Sequence, residues 1–263
     1  MSETFLDGRG AVVTGGGRGI GAAVARALAE AGARVVVAAR SGDQLEETAA
    51  ALREAGHEAW ADTCDVTDEA EVRRLARSAT QRLDAVDILV HSAGRAFSAP
   101  LHRMTLADWE EIFRVNVTGT FLCTRAFLPP MVERGWGRVV HVASVAGLAG
   151  AKYISAYAAS KHAVVGFARS VAAEVAATGV TVNAVCPGYV DTAMTRESIA
   201  RIAARTGRSE TEALEAVLAA NPQGRLIEPA EVARAVTWLC EEEARGVNGR
   251  TIVIDGGGLA GAE

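Results

Sequence analysis

Short apolar runs alternate with longer helical stretches along the whole chain. Seven valine- and alanine-rich runs predict strands, at 11–14, 34–39, 58–63, 87–91, 138–143, 181–185 and 251–254. Most are apolar at consecutive positions, which is typical of strands buried on both faces of a parallel sheet. Six helical patterns separate them, at 19–31, 43–55, 68–83, 106–133, 155–177 and 229–243. The alternation predicts a single α/β domain with a doubly wound parallel sheet and helices on both faces.

One segment departs from this rhythm. Residues 192–225, between the sixth and seventh predicted strands, form a polar helical excursion rich in arginine and glutamate. In an open α/β sheet this position lies beside the carboxyl ends of the strands, where ligands bind. We expect a substrate lid within one domain that spans residues 1–263, although a decorated surface hairpin would give the same pattern.

Composition narrows the function classes. A chain of 263 residues with 49% hydrophobic residues can bury one large core, and a net charge of −5 gives no global attraction to nucleic acid or anionic membranes. There is no run long enough for a membrane span and no secretory h-region. The histidines are scattered, so no metal site is expected. The four cysteines lack paired spacing, which predicts reduced thiols and a cytoplasmic protein. They are Cys64, Cys123, Cys186 and Cys240.

A glycine-rich turn follows the first predicted strand and opens the first helix. Glycines allow close backbone approach to a pyrophosphate, and the helix N-terminus supplies free N–H groups and a positive dipole. The strand–turn–helix context predicts a Rossmann-type dinucleotide site, with cofactor contacts from Gly15, Arg18, Gly19, Ile20 and Gly21.

The end of the second predicted strand bears on the choice of nucleotide. NAD sites place an acidic residue there to accept hydrogen bonds from the ribose, but this strand ends with Arg40 and Ser41. Together with Arg18, these residues suit a ribose 2′-phosphate, so NADPH is predicted as the preferred cofactor and NAD(H) stays possible. The alternative is that both arginines are solvated surface groups.

Two further pairs follow the third and fourth predicted strands. Asp65 and Val66 are expected near the adenine, although Asp65 could equally cap the helix that begins near residue 68. Ala93 and Gly94 are small enough for a cofactor to lie against their backbone.

Four polar residues carry the candidate chemistry. Tyr157 and Lys161 are four residues apart in a predicted helix, so a phenol lies beside an ammonium whose charge favours the phenolate. Ser144 ends the fifth predicted strand, at the mouth of the sheet. Asn116 lies mid-helix, where asparagine is a poor helix former. Singly, Ser144 could be a helix cap and Asn116 a buried polar bridge.

The chain resembles the short-chain dehydrogenase/reductase family along essentially its whole length. The matching stretches are 14–21 (TGGGRGIG), 93–94 (AG), Asn116, Ser144, 157–161 (YAASK) and 187–192 (PGYVDT). The resemblance implies Tyr157 as general acid/base, Ser144 as hydrogen-bond donor to the substrate carbonyl, Lys161 as holder of the nicotinamide ribose, and Asn116 as anchor of a proton-relay water. It adds cofactor contacts at Pro187, Gly188, Val190 and Thr192, and implies a homotetramer. One departure is His91-Ser92, where the family usually has two asparagines, which puts local packing in doubt.

The resemblance within the family is to polyketide ketoreductases and 3-oxoacyl reductases. Docking arginines of the carrier-protein enzymes are absent at Gly135 and Thr178, which weakens a carrier-bound substrate, although Arg95 and Arg134 could compensate. Ala96, Ala146 and Ile154 stand where 3-hydroxybutyrate dehydrogenases bind a carboxylate, which disfavours a small free hydroxy acid. We expect an apolar pocket for a hydrophobic ketone, a cyclic ketone or an acyl thioester, lined by Phe97, Val145, Leu148, Ile154, Tyr189 and Met194, although these residues could be core or oligomer contacts.

Three functions follow in order of preference. The first is an NADPH-dependent oxidoreductase that reversibly reduces a ketone to a secondary alcohol. The second is an NAD-dependent secondary-alcohol or 3-hydroxyacyl dehydrogenase. The third is a catalytically idle dinucleotide-binding sensor, against which the retained tyrosine, lysine and serine argue.

Overall fold

The computed structural model describes residues 4–219 and 221–259, and its centre is a seven-stranded parallel sheet. The spatial order is β3-β2-β1-β4-β5-β6-β7, so the chain reverses its direction of winding between β1 and β4. This confirms the predicted doubly wound Rossmann-type sheet. The strands are β1 Gly10–Thr14, β2 Arg34–Ala39, β3 Ala59–Thr63, β4 Ile88–His91, β5 Gly137–Val142, β6 Val180–Pro187 and β7 Thr251–Ile254.

The helices cover both faces of this sheet. The α-helices are α1 Gly19–Glu30, α2 Gly42–Glu54, α3 Glu69–Leu83, α4 Leu106–Phe113, α5 Gly119–Arg134, α6 Ser155–Glu174, α7 Ala193–Thr206, α8 Glu210–Leu218 and α9 Pro229–Trp238. Among the described residues, no helix combines the length and apolar character needed to cross a bilayer.

The single helix predicted over 106–133 is interrupted. A π-helical turn, Arg114–Thr118, joins α4 to α5 and contains Asn116. Such turns often occur at functional sites. Asn116 is a poor helix former, and its side chain bonds to groups outside its own helix. The sequence pattern could locate the residue but not the inserted turn.

Two hydrophobic cores sandwich the sheet. Alternate strand positions point to opposite faces, so Val13 and Val37 pack with α1, α2 and α9, whereas Val12 and Val36 pack with α3, α5 and α6. Because both faces are covered, the strands are apolar at consecutive positions, as the sequence pattern predicted.

The segment 192–225 carries the two helices α7 and α8 and a small apolar core of its own, made by Ile199, Ala203, Ala213 and Val217. Thr192 caps α7, accepting a hydrogen bond from the Thr195 amide at 3.4 Å. Arg205 near the end of α7 donates to the Ser98 carbonyl at 2.7 Å. These contacts hold the segment over the carboxyl ends of the strands.

Candidate active site

The reversal between β1 and β4 opens a cleft at the carboxyl edge of the sheet. Helices leave these two strands toward opposite faces, so the loops that follow them separate. A cavity of about 1510 Å³ lies there, lined by the glycine turn, the ends of β4, β5 and β6, and helix α7. Among the described residues there is no cluster of three metal-ligating side chains.

The glycine turn is shaped for close approach. Gly15 has φ +67°, and a Cβ there would lie 2.7 Å from the Ala93 nitrogen; a Cβ at Gly21 would lie 2.1 Å from the Gly15 carbonyl oxygen. Arg18, the residue before α1, makes no side-chain capping hydrogen bond to the helix. The first-turn N–H groups are therefore left for an external anion, and the cradle fits a dinucleotide pyrophosphate.

Two arginines flank this cradle. Arg18 and Arg40 both line a smaller cavity of about 440 Å³ beside the glycine turn. Arg18 lies 3.9 Å from the Glu197 carboxylate of α7. Arg40 is exposed, and Ser41 next to it makes no side-chain cap to α2. The two guanidinium groups thus face one space, as the nucleotide hypothesis requires.

Five predicted site residues line neither cavity: Ser41, Asp65, Val66, Asn116 and Leu148. The Asp65 carboxylate accepts from the amide and hydroxyl of Thr67, at 2.9 and 2.8 Å, and organises the turn before α3. Val66 is buried in the core against Gly119, and Leu148 packs against the same core. Neither Val66 nor Leu148 lines the cavity, and Asp65 does not either. Apolar side chains at these loop positions find the core beside them, which sequence spacing could not distinguish from a pocket wall.

The other proposed contacts come together around the cleft. Those that line it, beyond the glycine turn, are Ala93, Gly94, Phe97, Val145, Ile154, Pro187, Gly188, Tyr189, Val190, Thr192 and Met194. Gly94 lies beside both Asn116 and Lys161, since a Cβ there would be in van der Waals contact with Asn116 Oδ1 at 3.4 Å and Lys161 Nζ at 3.5 Å.

Tyr157 and Lys161 project from the first turns of α6 into the same cleft. The Lys161 ammonium lies 5.9 Å from the centroid of the Tyr157 ring and donates to the Val142 carbonyl at 2.9 Å. Burial lowers the pKa of Lys161 to about 8. Burial also raises the pKa of Tyr157, against a lowering contribution from the Ser144 hydroxyl. Burial thus favours the protonated phenol over the phenolate in this structure.

Ser144 lies directly after β5, and its hydroxyl has a structural bond as well as a free proton. The Ser144 oxygen accepts from the Ala146 amide at 3.1 Å, which caps a short 3₁₀ turn. A hydroxyl has two lone pairs and one proton, so this cap leaves the proton for a ligand. The capping role and the donor role considered from the sequence are compatible.

The Asn116 amide makes three hydrogen bonds to protein groups. Its Oδ1 accepts from the Arg95 amide at 2.8 Å, and its Nδ2 donates to the Arg95 carbonyl and to Ser160 Oγ, both at 3.0 Å. This is the buried polar bridge considered from the sequence. It fixes the loop after β4 against α6, close to Lys161.

Sequence reasoning missed a buried pair of histidines. His91 and His141 are neighbours across β4 and β5, with ring centroids 6.3 Å apart. His91 Nδ1 lies 2.9 Å from the Thr14 hydroxyl, but His91 Nε2 and both nitrogens of His141 have no partner among the described residues. Burial, and then the Lys161 charge, lowers the pKa of His141 to about 3, and burial lowers the pKa of His91 as well. Both imidazoles are therefore neutral beneath Lys161. The signal in the sequence that could have revealed this pair was a polar residue on the same face of two adjacent strands.

Sequence reasoning also left aside the arginines of α7. Arg201 and Arg205 line both cavities. Their spacing of four residues within the excursion 192–225 was the available signal, because residues at i and i+4 share a helix face.

Comparison with known proteins agrees with this site. The short chain dehydrogenase family model matches residues 9–203. The chain is 39% identical to a putative ketoacyl reductase of Streptomyces coelicolor over 253 residues, covering 95% of this chain and 97% of the relative. It is 41% identical to cis-4-hydroxycyclohexanecarboxylate dehydrogenase of Sinomonas cyclohexanicum over 262 residues, covering 98% of each.

Solved structures give the same answer. A single-residue variant of actinorhodin polyketide ketoreductase, solved with NADPH, superposes with a TM-score of 0.93 at 38% identity, covering 97% of this chain and 98% of that one. Levodione reductase superposes with a TM-score of 0.92 at 33% identity, with 97% and 98% covered. The chain therefore belongs to the short-chain dehydrogenase family, as an oxidoreductase that acts on CH–OH and C=O groups.

Proposed function

We propose that this protein is an NADPH-dependent carbonyl reductase that converts a hydrophobic ketone, a cyclic ketone or a 3-oxoacyl thioester reversibly to a secondary alcohol. The observation that carries the proposal is the convergence of Tyr157, Ser144 and Lys161 on one cleft with the glycine cradle. When bound, the nicotinamide supplies the hydride. Every other part of the chemistry belongs to side chains of this chain.

Tyr157 is the general acid in the reducing direction. Its raised pKa keeps the phenol protonated at neutral pH, and the phenolic proton goes to the carbonyl oxygen as negative charge develops there. Ser144 donates its free hydroxyl proton to the same oxygen, which stabilises the charge in a partly buried site. In the oxidising direction the roles reverse, and the tyrosinate accepts the proton.

The Lys161 ammonium is held in place by its hydrogen bond to the Val142 carbonyl, and we propose that it binds the nicotinamide ribose. A pKa of about 8 leaves it mostly charged at pH 7, so it favours the tyrosinate once the phenol has given up its proton. Asn116 is proposed to be a positioning residue, because its side-chain amide connects the Arg95 backbone to Ser160 of α6. A relay water on Asn116 stays a prediction.

The preference for NADPH rests on Arg18 and Arg40 and on the absence of an acidic residue at the end of β2. Asp62 and Asp65 lie on and after the neighbouring strand and are engaged by Arg74 and Thr67. Two guanidiniums beside the cradle give bidentate donors for a 2′-phosphate. The related actinorhodin enzyme was solved with NADPH, which supports this choice.

The substrate class rests on the apolar half of the cleft. Phe97, Val145, Ile154, Tyr189 and Met194 line it. Relatives named for ketoacyl, levodione and hydroxycyclohexanecarboxylate chemistry support a ketone on a sizeable apolar body. Cytoplasmic location and a homotetramer remain predictions.

The direct test is oxidation of NADPH in the presence of ketones, cyclic ketones and 3-oxoacyl-CoA esters, followed by identification of the alcohol. Turnover with NADPH at higher kcat/KM than with NADH is expected. Turnover that requires NAD⁺ and an alcohol, with no use of NADPH, would favour the dehydrogenase alternative. Binding of the dinucleotide without turnover of any ketone or alcohol would favour the sensor.

A further inference from the structure

The smaller cavity beside the glycine turn has a strongly basic wall. Its charged lining consists of five arginines and one carboxylate, Glu197. Arg18 and Arg40 are already assigned to the cofactor under the proposed function. The remaining cations, Arg95, Arg201 and Arg205, face the part of the cavity that continues into the substrate cleft.

These three arginines are not equally compensated. Arg95 lies 3.2 Å from the Glu111 carboxylate. Arg201 lies 4.0 Å from Glu197, which it shares with Arg18. Arg205 has the Ser98 carbonyl as its hydrogen-bond acceptor and no carboxylate within 4.0 Å among the described residues. Of these three arginines, Arg205 on α7 is the least compensated, and the basic wall carries excess positive charge.

The cations continue an apolar face of the same helix. Met194, Ser198, Arg201, Ile202 and Arg205 all line the larger cleft, at the spacing of one helix face. Met194 lies at the start of α7 and Arg205 near its end, 11 residues later, a rise of roughly 16 Å along the axis. A ligand along this face meets an apolar surface at one end and guanidinium groups toward the other.

We propose that Arg201 and Arg205 bind an anionic group, a carboxylate or a phosphate, that the substrate carries at the end remote from its ketone. The inference rests on the proposed carbonyl reduction and names its substrate class: an apolar ketone with an anionic tail. Guanidinium groups match both anions with paired N–H donors in a fixed, planar geometry. The apolar residues at 96, 146 and 154 disfavour a carboxylate next to the reacting carbon; the α7 arginines accept one farther away.

The first experiment measures binding without turnover. Cyclohexanecarboxylate and the neutral cyclohexanecarboxamide are titrated calorimetrically into the wild-type protein saturated with NADP⁺. The carboxylate is expected to bind at least tenfold more tightly than the amide, and Arg205→Gln to remove about 10- to 100-fold of its affinity. Arg208→Gln is the matched control, because Arg208 is exposed and does not line either cavity. Equal affinity for acid and amide would overturn the inference.

The second experiment separates the two anions by kinetics. One arm compares 4-oxocyclohexanecarboxylate with its methyl ester, and the other compares acetoacetyl-CoA with ethyl acetoacetate. Arg201→Gln should lower kcat/KM for the charged member of the preferred arm by about 10- to 100-fold and leave its neutral partner within about twofold. Arg205→Gln also loses the Ser98 contact, so it should lower kcat/KM for both members, and by at least about tenfold more for the charged one. Equal losses for charged and neutral substrates, or no loss in either arm, would overturn the inference. Arginine-dependent carboxylate binding without reduction of any ketone would retain the anion site and reject the proposed function.

Discussion

The floor of the cleft buries its titratable groups, whereas the roof of the cleft leaves its charged groups partly exposed to solvent. The floor contains Lys161 and the His91–His141 pair, buried between the sheet and α6, where one carbonyl fixes the ammonium and burial shifts every pKa. The roof is helix α7, where Arg201 is partly exposed and shares the Glu197 carboxylate with Arg18 of the glycine turn, and where Arg205 is exposed. A buried charge is costly to add or move, whereas an exposed one changes at little cost. Under the proposed function, the buried floor carries the reaction and the exposed roof contacts the substrate's remote end, so substitutions on the roof should cost less stability than those on the floor.

The largest predicted effect is on the floor. Tyr157→Phe removes the proton donor and should lower kcat by at least about 10²–10⁴-fold, the usual contribution of general acid catalysis. NADPH affinity and the melting temperature should stay within error of the wild type, because the phenol ring that packs is retained. Appreciable turnover in this variant would show that Tyr157 is not the general acid.

The next largest effect is expected at Arg40, which lines the smaller cavity beside the glycine turn. Arg40→Ala removes one of the two proposed donors to the 2′-phosphate and should raise the KM for NADPH by about 10- to 100-fold. The KM for NADH should not change, because NADH lacks that phosphate. An unaltered NADPH KM would mean that Arg40 is a solvated surface group, and that Arg18 alone or another residue selects the nucleotide.

A third prediction concerns stability in acid. His141 is neutral and buried in the folded state with a pKa of about 3, against roughly 6.5 when unfolded, so only the unfolded state takes up its proton between these values. Stability is lost as pH falls from about 6.5 toward 3, and His141 alone should cost about 2 kcal/mol at pH 5 relative to pH 7.5. Urea unfolding of the His141→Asn variant should show that much less acid sensitivity.

The exposed His102 provides the control for this measurement, through His102→Asn. That variant should keep the pH dependence of the wild type. If His141→Asn and the wild type lose stability equally between pH 7.5 and pH 5, the His141 imidazole takes up its proton in the folded state as well. That result would contradict a neutral His141 in the folded protein.

The smallest effect is on the roof. Glu197 lies at 3.9–4.0 Å from Arg18 and Arg201 with about half of its side chain exposed, so the free energy of unfolding should change by less than about 0.5 kcal/mol in Glu197→Gln. Affinity for an anionic ligand should rise about two- to threefold, since both arginines lose a competing carboxylate. A fall in that affinity would mean that Glu197 positions the arginines and does not compete for them.

The sequence predicted the floor better than the roof, for physical reasons. Strand burial, the glycine turn and the order of Asn116, Ser144, Tyr157 and Lys161 leave strong local signals, and the structure brings these residues together. The π-helical turn around Asn116 was not predictable, because the side-chain bonds that accompany it are long-range. Asp65, Val66 and Leu148 were expected at the site and do not line the cleft, because Asp65 organises a turn and the two apolar side chains pack against the core. The α7 arginines carried no motif, and their meaning depends on which face of the helix meets the cleft.

Deuterium transfer from the cofactor, compared between the wild type and Tyr157→Phe, tests the hydride donor and the proton donor in one experiment. Wild-type protein is given NADPH deuterated at the transferable position of the nicotinamide and a ketone from the active class, and the alcohol is examined by mass spectrometry and NMR. We predict one deuterium per alcohol, on the carbinol carbon, and loss of product formation in Tyr157→Phe although that variant still binds NADPH. Unlabelled alcohol, or equal product from Tyr157→Phe, would contradict this prediction.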